Sequence, residues 1–270
     1  MAAMELDGAT AVVTGGASGI GRALAEALVA AGARGAVVAD RDAARAEAVA
    51  AALGPTALAV ACDVTHEADT VAAVARAEAA FGAVDLFCAN AGILAGNDPA
   101  TPDDVWDRVM DVNLRAHVHA ARRLLPGWLE CGRGHFLSVA SAAGLLAQVG
   151  SAPYTVSKHA AVAFAEWLSL TYGDRGIGVT CVCPQAVDTP MLELDDALVG
   201  AGAAATLTSG AIVPAAAVAA AALQGVREGR FLVLPHREVA EYWRRKADDP
   251  ERWLRGMRRL QARALADRDA

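Results

Sequence analysis

Seven short apolar runs punctuate the chain, and no hairpin turn joins any two of them. They are ATAVVT (from Ala9), GAVVAD (from Gly35), ALAVACDV (from Ala57), VDLFCANAG (from Val84), GHFLSVA (from Gly134), IGVTCVCP (from Ile177) and GRFLVLP (from Gly229). Between them lie amphipathic helical stretches such as GRALAEALVAAG, DAARAEAVAAAL and EADTVAAVARAEAAFG. Strands joined only by helices need crossover connections, which predicts a doubly wound parallel sheet with helices on both faces, an α/β fold. Sheets of this kind hold ligands at the carboxyl ends of their strands. Ser18, Asp40, Asp63, Asn90 and Ser141 all fall at such ends.

The first strand runs straight into GGASGIG and then a helix. Glycines let a backbone approach a pyrophosphate closely, and a helix N-terminus offers free N–H groups at the positive end of its dipole. The spacing Gly15, Gly19, Gly21 is G-x-x-x-G-x-G, so this stretch reads as a dinucleotide cradle. Asp40 closes the second strand, where a carboxylate can accept hydrogen bonds from ribose hydroxyls and would repel a 2′-phosphate. That favours NAD over NADP. Arg41 follows directly and could clamp such a phosphate, but alternation along a strand points it away from Asp40. Asp42 suits the N-cap of the next helix better than Asp40 does.

Ser141 to Lys158, SAAGLLAQVGSAPYTVSK, carries the expected chemistry. A strand delivers Ser141, a Gly/Pro-punctuated loop follows, and Pro153 opens a helix bearing Tyr154 and Lys158 four residues apart on one face. An ammonium about 4 Å from a phenol favours phenolate by roughly 4 kcal/mol at an effective dielectric near 20, which predicts a phenol pKa drawn from about 10 toward about 7. Tyr-x-x-x-Lys recurs at Tyr242/Lys246, but Gly229, not a serine, stands thirteen residues before that copy. Only the first copy has the surroundings of an acid–base site for an alcohol or a carbonyl.

Composition narrows the remaining choices. The chain is 55% hydrophobic but only 5% aromatic, so its core is built mainly of Ala, Val and Leu. A net charge of −7 argues against a nucleic-acid surface. Five cysteines without metal or disulfide spacing suggest a reduced, cytoplasmic protein, and Cys181 and Cys183 share one face of a buried strand. His117 and His119, two apart on a helix, do not face each other, so no metal site is expected. The uncharged runs 136–157 and 197–226 are broken by Gly, Pro, Ser or Thr and do not read as membrane spans. Asn113, in DVNLRAH, is a polar residue among apolar helix positions, a pattern that by itself signals only local satisfaction of backbone groups.

TGGASGIG at Thr14–Gly21, NAG at Asn90–Gly92, Asn113, and Ser141 with Tyr154-x-x-x-Lys158 fall in one order, and in that order the chain resembles the short-chain dehydrogenase/reductase family over residues 5–235. The resemblance implies a Rossmann-like fold, hydride transfer between a nicotinamide dinucleotide and an apolar secondary alcohol or ketone, and a homodimer or homotetramer. It implies Tyr154 as general acid/base, Lys158 as the group that lowers its pKa and holds the nicotinamide ribose, Ser141 as orienter of the substrate oxygen, and Asn113 as anchor of a relay water. Gly15, Ser18, Gly19, Ile20, Gly21, Asp40, Arg41, Asp63, Val64, Asn90, Ala91, Gly92, Pro184, Val187 and Thr189 would hold the cofactor beside Tyr154 and Lys158. One departure is Pro184-Gln185, where the family has Pro-Gly, and a missing glycine there predicts a crowded or reshaped turn. A regulatory protein that keeps the fold without turnover is the competing reading, but it has no use for an activated phenol.

The family-like domain is expected over 1–235, with a helical C-terminal extension over 236–270. Asp249-Pro250-Glu251 reads as an N-cap, a first-position proline and a dipole-favoured acid. Trp253, Leu254, Met257, Leu260, Ala264 and Leu265 then follow at helical spacing. Leu145, Gln148, Met191 and Leu192 are the expected substrate-side residues. The Ala/Gly/Thr-rich segment from Met191 to Val213 is an expected lid or binding loop.

Overall fold

The computed structural model describes residues 3–193 and 211–266. Most of the expected lid or binding loop (194–210) therefore lies outside the described residues, as do the side chains of Leu192, Ala264 and Leu265.

The apolar runs become strands β1 (Thr10–Thr14), β2 (Gly35–Asp40), β3 (Ala57–Ala61), β4 (Leu86–Ala89), β5 (Gly134–Val139) and β6 (Ile177–Val182). Two-residue strands β7 (Val187–Asp188), β8 (Val213–Pro214) and β9 (Leu232–Val233) follow. All seven strands of the main sheet are parallel, in the order β3-β2-β1-β4-β5-β6-β9. β7 and β8 form a separate parallel pair that the sequence did not suggest. GRFLVLP contributes only two paired residues, because Pro235 has no N–H to extend the ladder.

Helices α1 (Gly19–Ala30), α2 (Ala43–Leu53), α3 (Glu67–Phe81), α4 (Asp103–Met110), α5 (Ala116–Cys131) and α6 (Ala152–Tyr172) supply the crossovers. α7 (Ala215–Arg227), α8 (Glu238–Asp248) and α9 (Pro250–Ala266) complete the described chain. One apolar layer joins the sheet to α1, α2 and α7 through Leu24, Leu28, Val49 and Leu223. The other joins it to α3, α5 and α6 through Val74, Leu124, Trp128 and Leu168. The inner strands such as β1 and β6 are buried on both faces, so their sequences lack alternation, while edge strand β3 is only half-buried.

Strand order reverses between β1 and β4, the two strands at the centre of the sheet. Connections from the neighbouring carboxyl ends leave in opposite directions there and open a crevice. The glycine turn after β1 and Asn90–Gly92 after β4 form its edges.

Candidate active site

A cleft of about 450 Å³ runs along these carboxyl ends. Gly15, Ser18, Gly19 and Ile20 border it at the glycine turn; Asp40, Arg41, Asp63 and Val64 border one end. Asn90, Ala91, Gly92, Ser141, Tyr154, Lys158, Pro184, Val187 and Thr189 border the rest. Of the expected site residues only Gly21 and Asn113 stand behind the wall instead of on it. Cys62, Ile93, Leu94, Arg108, Val112, Val139, Ala140, Gln185, Pro190 and Met191 also line the cleft. Most of these are apolar positions or helix-surface charges whose sequence neighbourhood signals nothing but packing.

The glycine turn is closed by sterics. A Cβ at Gly21 would meet the Gly15 carbonyl oxygen at 2.0 Å, so no side chain fits there. Gly15 and Gly19 have positive φ (63° and 49°), which glycine alone adopts without strain. α1 starts at Gly19, inside the motif, with Ser18 as an N-cap that makes no side-chain capping bond and no acid in its first turn. Its first N–H groups are therefore unspent and face an anion-binding position.

Asp40 accepts hydrogen bonds from the backbone N–H groups of Ala17 and Asp42, both at 3.0 Å, so it holds the glycine turn as well as lining the cleft. Asp42 caps α2, accepting from the Arg45 N–H. The alternation argument for Arg41 fails: β2 ends at Asp40, so Arg41 is no longer on a pleated strand and lines the same cleft. Arg108, on α4, also lines the cleft and acts on Asp63. Neither arginine has an ion-pair partner among the described residues. Burial pushes the Asp63 carboxyl up, but the N–H and hydroxyl of Thr65 (3.0 and 2.8 Å), with His66 and Arg108 nearby, hold it below the usual carboxylate range. Asn90 donates to the carbonyls of Thr14 (2.9 Å) and Gly15 (3.3 Å), so its amide ties β4 to the glycine turn instead of reaching into the cleft.

At the other end, α6 begins on Ser151, whose hydroxyl accepts from the Tyr154 N–H at 3.4 Å. Tyr154 and Lys158 are both buried on one face of α6, and the Lys158 Nζ lies 5.7 Å from the centre of the Tyr154 ring. Ser141 reaches the phenol with its hydroxyl and accepts from the Ala143 N–H at 3.0 Å. Lys158 donates to the Val139 carbonyl at 3.1 Å. Burial pushes the Lys158 ammonium down to about 8, the nearby Cys183 and Cys181 opposing it. The expected fall of the phenol pKa does not occur: burial raises Tyr154 above its ordinary value, and the Ser141 hydrogen bond offsets this only in part. Desolvation is the largest influence on the phenol, and Lys158, whose Nζ donates to the Val139 carbonyl, does not offset it.

Asn113 lies in a five-residue π turn, Asp111–Arg115, between α4 and α5, a distortion that periodicity does not reveal. It is fully buried. Its amide donates to the Ile93 carbonyl and to the Ser157 hydroxyl, both at 3.0 Å, and its oxygen accepts from the Ile93 N–H at 2.9 Å. Both side-chain N–H groups are thus committed, and only Oδ1 keeps capacity for a water. Gly92 admits this crowding: a Cβ there would lie 3.3 Å from the Lys158 Nζ and 3.4 Å from the Asn113 Oδ1.

Gln185 does not strain its turn, since its φ lies outside the positive region and its N–H donates to His236 at 3.1 Å. Of the expected substrate-side residues, Met191 lines the cleft, whereas Leu145 is buried behind it and the Gln148 N–H donates to Thr155 at 2.8 Å. The second Tyr-x-x-x-Lys copy has a different use: Lys246 on α8 donates to the Leu145 carbonyl at 2.7 Å and so presses α8 onto the loop that follows Ser141.

Residues 9–197 match the short chain dehydrogenase family. The chain belongs to that family. It is 40% identical over 236 residues to momilactone A synthase of Oryza sativa subsp. japonica, an alignment covering 82% of this chain and 84% of the relative. It is also 40% identical over 197 residues to 1-deoxy-11-beta-hydroxypentalenate dehydrogenase of Streptomyces avermitilis, covering 70% and 72%. The first relatives matched are spanned over 58% to 84% of their own length. A short chain dehydrogenase/reductase from Burkholderia phymatum, crystallised in complex with NAD, superposes with a TM-score of 0.84 at 30% identity, covering 92% of this chain and 96% of that one. Family membership makes the chain an oxidoreductase acting on an alcohol or ketone. Among the described residues no helix is long and apolar enough to cross a membrane, and no group of three or more His, Cys, Asp or Glu is placed to hold a metal.

Proposed function

We propose that the protein interconverts an apolar secondary alcohol and its ketone with NAD, using Tyr154 as general acid/base. The observation that carries this reading is the single cleft joining an unspent helix N-terminus to a buried Tyr154–Ser141–Lys158 cluster. A nicotinamide dinucleotide fits it: the glycine turn is a cradle that any Cβ would fill, and the free N–H groups of α1 suit a pyrophosphate. When bound, that cofactor donates or accepts the hydride. Gly15, Ser18, Gly19 and Ile20 would hold its phosphates, and Asp40 with Asp63 and Val64 the adenosine. Ala91, Gly92, Pro184, Val187 and Thr189 would enclose the nicotinamide end.

Tyr154 passes the proton between its phenol and the substrate oxygen, which the Ser141 hydroxyl orients by a hydrogen bond. Held neutral by burial, the phenol is ready as an acid for carbonyl reduction. Alcohol oxidation needs the phenolate, so it gains as pH rises. Lys158, still mainly protonated at pH 7, stabilises the charge left on the phenol and would hold the ribose of the nicotinamide. Asn113 braces Ile93 and Ser157 beneath this cluster and offers Oδ1 to a water on the path from Lys158. The apolar lining from Ile93, Leu94, Pro190 and Met191 favours an apolar substrate body. Five unpaired cysteines support a reducing, cytoplasmic setting, and residues 236–266 serve as an extension to the family domain.

The test is a panel of secondary alcohols and ketones followed by nicotinamide absorbance, with Tyr154→Phe as control. We expect turnover to fall by about 10²- to 10⁴-fold in Tyr154→Phe while NAD affinity stays within about threefold. Undiminished turnover in that variant, or a larger loss in Tyr242→Phe, overturns the assignment.

A further inference from the structure

His236 is 2% exposed and sits where the last strand leads into α8. Its ring makes three backbone contacts. Nδ1 faces the Gln185 N–H at 3.1 Å, while Nε2 faces the carbonyls of Ala186 at 3.0 Å and Ala211 at 3.2 Å. An N–H can only donate and a carbonyl can only accept, so the surroundings demand the neutral tautomer with its proton on Nε2. The partners are not arbitrary. Gln185 and Ala186 enter the segment that contributes Val187, Thr189, Pro190 and Met191 to the cleft wall, and Ala211 stands just before β8, where the chain returns. The Ala186 carbonyl also accepts from the Val213 N–H at 3.1 Å, so one imidazole closes a knot at the root of that segment.

The knot reaches the acid–base cluster. Pro184, the neighbour of Gln185, accepts from the Ala142 N–H at 2.7 Å, and Ala142 adjoins Ser141. From His236 the connection therefore runs through 184–186 to the backbone beside the hydroxyl that touches the Tyr154 phenol. A buried imidazole with both nitrogens committed to backbone has little room to move.

We propose that His236 is a positioning residue of the active site. It staples the two ends of the segment after β6, fixes the nicotinamide-side wall, and through Pro184 and Ala142 holds Ser141 in register with Tyr154. The inference rests on the oxidoreductase reading above, and it explains why Gln185 is tolerated where the family has glycine. With its N–H captured by His236, the turn is set by an outside partner instead of by glycine's conformational freedom.

Three variants test it: His236→Phe removes both functions, His236→Asn keeps an acceptor near the Nδ1 position, and His236→Gln keeps a donor near the Nε2 position. Amide exchange in the cofactor-free protein is read on peptides covering 185–191 and 211–214, alongside NAD titration by calorimetry and kcat on any accepted alcohol. For His236→Phe we expect at least about tenfold faster exchange in both peptides and kcat lower by about 10- to 100-fold, the cost of a small misplacement of reacting groups. Substrate KM is expected to change less than about threefold. His236→Asn should recover most of kcat, because it retains the Gln185 contact, and His236→Gln should recover little. If His236→Phe does not fold, the Asn and Gln pair carries the comparison. Wild-type exchange and kcat in His236→Phe overturn the proposal. So does equal loss in the Asn and Gln variants in proportion to lost thermal stability, which would make the residue structural only. Failure of the reading beneath it is separately visible, as a wild-type protein that neither binds NAD nor turns over.

Discussion

Removing the charge of Asp40 should transfer cofactor preference from NAD toward NADP. The carboxylate lines the cleft and is anchored by two backbone N–H groups, so it cannot swing away from a ligand without releasing the glycine turn. A 2′-phosphate about 5 Å from it, at an effective dielectric near 20, meets roughly 3 kcal/mol of repulsion per unit charge. Arg41 and Arg108 line the same end of the cleft and offset part of this. Salt and the open mouth screen it further, leaving about 2 to 3 kcal/mol, or a 30- to 150-fold preference for NAD in the wild type. Asp40→Asn keeps one acceptor oxygen and loses the charge. One of the two N–H groups then lacks a partner, which costs about 1 to 2 kcal/mol of stability and lowers Tm by several degrees. The assay is kcat/KM with each cofactor on one alcohol, at two ionic strengths, together with a thermal melt. Asp40→Asn is expected to bring the two values within about tenfold of each other. A wild type that already favours NADP, or an unchanged ratio in the variant, refutes the reasoning and gives the site to Arg41 and Arg108.

Acid should unfold the protein through two buried imidazoles. Burial pushes His117 down to about 3 and His135 down to about 4 from an ordinary 6.5, so both stay neutral when folded and take protons only when unfolded. Stability is therefore lost as pH falls below about 6.5, by about 2.5 kcal/mol per histidine by pH 4.5. Urea titrations at the two pH values check this, and His135→Gln should make the slope shallower; an unchanged slope refutes it. Lys246→Met, which cuts the tie to Leu145, should raise substrate KM several-fold while leaving NAD affinity and Tm nearly unchanged; an unaltered KM would show that α8 does not shape the substrate side. A homodimer or homotetramer is expected in solution, because α6 exposes Val156, Trp167 and Leu170, the last at 86%. Light scattering should give a multiple of the 27.6 kDa chain mass that Trp167→Glu reduces, and a wild-type monomer at micromolar concentration removes the expectation.

The local pattern of this sequence was enough to predict a parallel α/β sheet. Uninterrupted apolar runs and missing hairpins are properties of neighbours in the chain, and they appear as β1 to β6 with the expected crossovers. The glycine turn was legible for the same reason: the clash that forbids a Cβ at Gly21 involves Gly15, six residues away. The pairing of Tyr154 with Lys158 was legible too, since one turn of helix sets it. The phenol's pKa was not, because it depends on how deeply the folded chain buries Tyr154 and on the Ser141 hydroxyl and Cys183 that β5 and β6 bring beside it. Asn90 and Asp40 likewise turned out to be braces as well as cleft residues, through partners distant in sequence. His236 and Arg108 gave no local signal, for a buried histidine and a helix-surface arginine look ordinary in sequence, and Lys246 stood out only as half of a motif copy without a serine partner. What makes them matter is distance closed by folding: His236 meets Gln185 and Lys246 meets Leu145 only after the last strand docks beside β6 and turns the tail back over the carboxyl edge of the sheet.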